Sequence, residues 1–165
     1  MKDQSVSKLT TLGLLAALIF VATYLLKIVL PIGYIHIGDG MILAGAVLLG
    51  PAVWLPAAIG SMLADIMLGF SAYALPTFLI KGIVGFSAGY LLKRTNRLVG
   101  VVGVFIAVEI IMVGGYFLTE TIMYGFYGAI PQIVSNLIQG ASGVVIGVVL
   151  YPVLVKMRHG LPYKS

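Results

Sequence analysis

In 165 residues the chain carries 61% hydrophobic side chains, 9% charged ones and no cysteine. A soluble domain carries roughly a quarter charged residues, so this is an integral membrane protein, without disulfides, thiolate nucleophiles or cysteine-held metals. Ten basic residues against five acidic ones give a net charge of +5; in so apolar a chain that excess is loop charge, not a nucleic-acid surface.

The first apolar run begins at Leu9, after Lys2 and Lys8, and is long enough to cross a bilayer; no convincing small-residue cleavage site follows it, so it reads as a membrane helix over 9–30 rather than a signal peptide. Pro31 and Gly33 end it, and a loop over 31–38 leads to Asp39. Residues 40–64 hold no charge. They form either one long helix or two short arms folded at Gly50-Pro51, and the positive-inside rule decides. With Lys2 and Lys8 inside, one helix would place Lys93, Arg94 and Arg97 outside, whereas a hairpin places them inside. The second and third spans are therefore expected over 37–49 and 52–69. An external connection over 69–76, a fourth span over 75–92, an internal loop over 93–97 and a fifth span over 98–118 follow. An external loop over 119–130 carries Tyr124, Phe126 and Tyr127, and a sixth span over 131–155 ends in a tail with Lys156, Arg158 and Lys164. The expected fold is a single all-α domain of six transmembrane helices over residues 1–165, both termini cytoplasmic. Eight of the ten basic residues then lie inside, with Lys27 and Lys81 toward the outer side.

Assigned to depths, the polar residues gather in the outer half: His36 and Asp39 at the start of the second span, Asp65 near the end of the third, Lys81 on the fourth and Glu120 at the external end of the fifth, with Glu109 nearer its middle. Gln132, Asn136 and Gln139 on the sixth fall on one helical face. Below Gly143 that helix is apolar. Such convergence suits a pocket loaded from outside and sealed below, and suits a channel poorly, since a channel continues its polar lining to the inner face. Each group also has a plainer reading. Asp65 serves as a cap or buried partner, Lys81 neutralises Asp65 or Glu109, His36 and Asp39 order the first loop, Glu120 is a solvated loop-end charge, and the amides hold helices together. Tyr124 and the neighbouring aromatics read as an interfacial belt or as stacking faces on a loop freed by Gly125 and Gly128.

Small residues recur four apart at Gly13/Ala17, Gly60/Ala64, Gly85/Gly89, Gly103/Ala107 and Gly143/Gly147. Most are internal packing; Gly13 and Ala17 lie away from the polar groups and are a candidate docking surface. No phosphate-loop or His-Glu-x-x-His motif is present and no nucleophile-base pair is evident, so the chain is not expected to be an enzyme or to hydrolyse ATP by itself.

Taken in order, Ile35-His-Ile-Gly-Asp-Gly40, the turn Leu48-Leu-Gly-Pro51, Gly60-Ser-Met-Leu-Ala-Asp-Ile-Met-Leu-Gly69, Pro76-Thr-Phe-Leu-Ile-Lys-Gly82 and Pro131-Gln-Ile-Val-Ser-Asn-Leu-Ile-Gln-Gly140 resemble the substrate-binding S components of energy-coupling factor (ECF) vitamin transporters. The resemblance covers nearly the whole chain. It implies a subunit of a prokaryotic cell membrane that captures a vitamin or precursor at its outer face. It implies docking on a transmembrane coupling subunit with two cytoplasmic ATPases, which use ATP and Mg, and release inside after toppling in the membrane; no cofactor or metal is expected on this chain. The family's Ala-x3-Ala motif on the first helix reads Gly13-Leu-Leu-Ala-Ala17 here. The His-x-Gly-Asp and Thr-x3-Lys combination looks most like members assigned to hydroxymethylpyrimidine or pyridoxine; riboflavin, thiamine and pantothenate members share the architecture. The expected substrate-binding residues are His36, Asp39, Asp65, Lys81, Glu109, Tyr124, Gln132, Asn136 and Gln139. Two other classes compete: a self-contained transporter using Asp65 or Glu109 as a proton relay, and a structural subunit that binds no small molecule.

Overall fold

The computed structural model describes residues 2–30 and 33–159. Pro31 and Lys164, invoked above as a helix stop and a tail charge, lie outside the described residues. The described chain runs α1 (Lys2–Leu25), β1 (Lys27–Val29), β2 (Tyr34–His36), α2 (Gly38–Leu49), α3 (Trp54–Met67), α4 (Ala74–Leu91), α5 (Leu98–Tyr124) and α6 (Phe126–His159). Five stretches are long and apolar enough to cross a membrane: Val6–Leu25, Gly38–Met67, Ser71–Arg94, Leu98–Tyr124 and Phe126–Arg158.

The second stretch is broken. Gly50 takes φ 60, a left-handed value that favours glycine, and a 3-10 turn, Gly50–Val53, separates α2 from α3. In one straight helix Asp39 and Asp65 would stand about 39 Å apart. Instead Asp65 bonds Tyr34, which lies two residues before His36 on the strand that leads into α2. Both acids therefore lie at one end of the bundle and the turn at the other. The turn is seated on α4, where a side chain at Gly89 would run into the backbone of Gly50 and Pro51.

α2 is the innermost element, buried at ten of its twelve positions and packed on α6, α1 and α4. Its Ile42, Leu43 and Val47 join Ile19, Val53, Ala57, Val84 and Phe105 in one apolar core. At twelve residues it is about 18 Å long, less than a bilayer's hydrocarbon thickness. α1, α5 and α6 expose Leu14, Leu18, Ile110, Leu118, Val145 and Val149 outward, as helices facing lipid do.

Three boundaries differ from the sequence expectation. α1 ends at Leu25 rather than near residue 30: the Lys27 ammonium caps it by donating to the Tyr24 carbonyl (2.5 Å), and β-branched Ile28 and Val29 enter an antiparallel hairpin paired Lys27 with His36, Ile28 with Ile35 and Val29 with Tyr34. The expected loop over 119–130 is helix except at Gly125 (φ 77). Thr119 and Thr121 return their hydroxyls to the carbonyls four residues back, so these polar side chains continue the helix instead of ending it. α6 accordingly starts at Phe126, ahead of Pro131.

Candidate functional site

Strand alternation puts Tyr34 and His36 on the same face of β2, turned toward α3 and α6. The Tyr34 hydroxyl donates to Asp65 Oδ1 at 2.5 Å, tying the hairpin to the end of α3. Burial, reinforced by that carboxylate, pushes the Tyr34 phenol above its usual range. The His36 backbone N–H donates to Gln139 Oε1 at 3.3 Å, and its Nδ1 accepts from the Gly38 N–H at 3.0 Å, so the proton of the neutral ring sits on Nε2. Burial holds the imidazole down to about 3, an effect that the nearby Asp39 charge opposes and Lys81 reinforces.

Behind the histidine lies a closed polar cluster. Lys81 Nζ meets Asp39 Oδ1 at 2.6 Å with both side chains wholly buried, and Gln139 Nε2 donates to Asp39 Oδ2 at 2.8 Å. The ammonium also lies 5.2 Å from the centre of the Tyr116 ring. Each Asp39 oxygen thus has a partner, which is what makes a buried charge tolerable.

In front of it opens a small cavity. Tyr34, Phe70, Tyr73 and Tyr116 supply aromatic surface; His36, Asp65, Thr77, Glu120, Gln132, Ser135, Asn136 and Gln139 supply polar edges. Thr77 and Tyr116 bond each other at 2.9 Å, and Asn136 Nδ2 reaches both Glu120 oxygens only at 3.5 Å. Asp65 Oδ2 and the Tyr73 hydroxyl are buried with no partner.

Of the residues expected from sequence, His36, Asp65, Gln132, Asn136 and Gln139 line this cavity. Asp39 and Lys81 stand behind the wall in the closed cluster. Glu109 lies deeper, its carboxyl set against Gly140 and Gly143, where an added methyl would come within 3.3 Å of its oxygens, and neither oxygen has a partner. Tyr124 is 44% exposed, its ring 6.4 Å from that of Tyr73. Gly13 and Ala17 are exposed on α1. Glu120, read as a solvated loop-end charge, is instead 4% exposed, because the helix continues past it and turns it inward. The aromatic walls and Thr77 were missed. A signal existed in the pairs Tyr73/Thr77 and Tyr116/Glu120, each an aromatic and a polar side chain one helical turn apart.

Residues 3–156 match the family model described as ECF-type riboflavin transporter, S component. The chain belongs to the S-component family of ECF-type transporters. An uncharacterized protein from the gap 3′ region of Pyrococcus woesei is 36% identical over 130 residues, 77% of this chain and 87% of that protein. The thiamine precursor transporter HmpT of Lactococcus lactis subsp. cremoris is 32% identical over 160 residues, 93% of this chain and 91% of its own length. This S component is accordingly a multi-pass membrane subunit of a vitamin transporter and not an enzyme.

Proposed function

We propose that this S component captures hydroxymethylpyrimidine, the pyrimidine precursor of thiamine, or the similar ring of pyridoxine, in the cavity between the hairpin and α3–α6. The observation that carries the reading is the lining itself: aromatic faces from Tyr34, Phe70, Tyr73 and Tyr116 around amide and carboxylate edges, a surround that suits a flat, polar ring. The likeness to HmpT, named for a thiamine precursor, supports the same choice. In this reading His36, Asp65, Gln132, Asn136 and Gln139 touch the substrate, Tyr124 borders its entrance, and Asp39, Lys81 and Glu109 hold the floor.

The accompanying topology is six crossings with both termini cytoplasmic, α2 and α3 forming two short arms. It keeps eight of the ten basic residues inside and the cavity outside. Release inward then needs energy from elsewhere, since the sequence has no phosphate loop; a transmembrane coupling subunit and two ATPases would provide it. The exposed Gly13 and Ala17, with nothing within 4 Å of where a Gly13 side chain would begin, leave α1 open to close helix approach.

A flavin is the second reading, favoured by the riboflavin name of the matching family model. Native mass spectrometry of the purified chain, followed by thermal-shift titration with hydroxymethylpyrimidine, pyridoxine, riboflavin, thiamine and pantothenate, separates these. A released pyrimidine or pyridine, or a shift with one of them, is expected. A flavin would establish the second reading, and silence toward every vitamin would overturn capture in this cavity.

A further inference from the structure

The cavity wall has a charge asymmetry that constrains what can enter. It presents two carboxylates, Asp65 and Glu120, and among the described residues no lysine or arginine. The cation nearest behind it, Lys81, has no exposed surface and is taken by Asp39. Asp65 is 4% exposed, with Oδ1 occupied by Tyr34 and Oδ2 buried without a partner. Glu120 is equally buried and held only by the 3.5 Å contacts to Asn136. A buried acceptor without a donor is costly, and the cost disappears when a ligand supplies the donor. When ionised, these carboxylates give an anion no donor and repel it in a medium of low dielectric.

We propose that this cavity selects by charge: it takes a small flat ring that donates N–H or O–H hydrogen bonds and is neutral or cationic, and it rejects anions, with Asp65 and Glu120 enforcing the choice. Asp65 Oδ2 receives a donor of the ring, such as an exocyclic amine, and Glu120 receives a second donor or a positive charge. Phosphate esters of the same rings, and carboxylate vitamins, are turned away. The inference rests on the capture reading above and narrows it.

The test is isothermal titration of the full chain in detergent with matched probes. These are 4-amino-5-hydroxymethyl-2-methylpyrimidine against its monophosphate, pyridoxine against its 5′-phosphate, thiamine as a cation, pantothenate as an anion and riboflavin as a neutral flavin. The parent compound of at least one pair is expected to bind about 100-fold or more tighter than its phosphate ester, and pantothenate not to bind. Asp65→Asn, which keeps an oxygen for Tyr34, should weaken the parent by about tenfold. Glu120→Gln should narrow the gap between parent and ester by about tenfold, with the ligand-free melting temperature of both variants retained as the folding control. An ester within about threefold of its parent, or pantothenate as the tightest ligand, would overturn charge selection while leaving capture intact. Absence of binding by every probe would instead overturn capture itself.

Discussion

Asp39 and Asp65 stand at the two free ends of the same pair of arms, both beside the strand Tyr34–His36, yet their surroundings are opposite. Around Asp39 the polar groups close on one another: lysine on one oxygen, glutamine on the other, no exposed surface. Around Asp65 they stop short, leaving one oxygen buried without a partner in the cavity wall. The contrast separates two uses of a charge in an apolar bundle. A fully partnered charge fixes how helices meet; a partly partnered one is incomplete until something else arrives. Changes in the closed cluster should therefore read out in stability, and changes in the open wall in affinity.

The largest effect tests the closed side. Lys81→Met removes the cation paired with Asp39 and leaves a buried carboxylate without its counter-charge, which costs about 3–5 kcal/mol. Thermal unfolding in detergent should show a collapse of the melting temperature, and the double variant with Asp39→Asn should recover much of it. A single variant as stable as the parent would mean that the cluster does not hold α2, α4 and α6 together.

An intermediate effect tests the boundary between the two regions, at His36. In the fold this imidazole takes up a proton only near pH 3, against 6.5 ordinarily. Between those values the unfolded chain binds the extra proton, so the contribution is complete above about pH 6.5 and declines as acid is added, reaching a loss of about 1.4 kcal/mol at pH 5.5. Asp39, Lys81 and Tyr34 face the same ring, so the comparison is parent against His36→Asn, whose amide oxygen takes the place of Nδ1 and can still accept from the Gly38 N–H. The extra acid sensitivity of the parent between pH 7.5 and 5.5 should vanish in the variant. Equal slopes in both would show that His36 titrates freely in the fold.

How far these regions were legible in the sequence follows from the same physics. Charge-free arms around a Gly-Pro pair, together with the positive-inside expectation for Lys93, Arg94 and Arg97, announced the break at Gly50 because lipid makes charge placement a strong constraint. Ionisable and amide residues within the apolar spans stood out for the same reason, and Asp39, Lys81 and Gln139 were all singled out. Which of them meet was not legible, since it depends on helix rotation that a single sequence does not carry. The hairpin hid because Ile28, Val29 and Leu30 continue an apolar run that looks helical until Lys27 caps the turn before it. The aromatic walls hid for a different reason: in so apolar a chain Tyr34, Phe70, Tyr73 and Tyr116 look like ordinary packing until the backbone brings them around one space.

The smallest effect on stability, and the sharpest on binding, belongs to Asn136. Its amide lies on the same face of α6 as Gln132 and Gln139, but unlike Gln139 it is only half-buried, and its bonds to Glu120 are at the limit of hydrogen-bond length. Asn136→Ala therefore removes little that the empty fold uses, and the melting temperature should correspond to a change within about 0.5 kcal/mol. With ligand present the same truncation removes a donor and an acceptor from the cavity edge, and affinity should fall about tenfold, the equivalent of one hydrogen bond of about 1.4 kcal/mol. Titration and unfolding on one preparation check both halves. If stability drops while affinity holds, Asn136 is helix glue and the open wall is structural after all; if affinity drops alone, an amide on the wall recognises the ligand without supporting the fold.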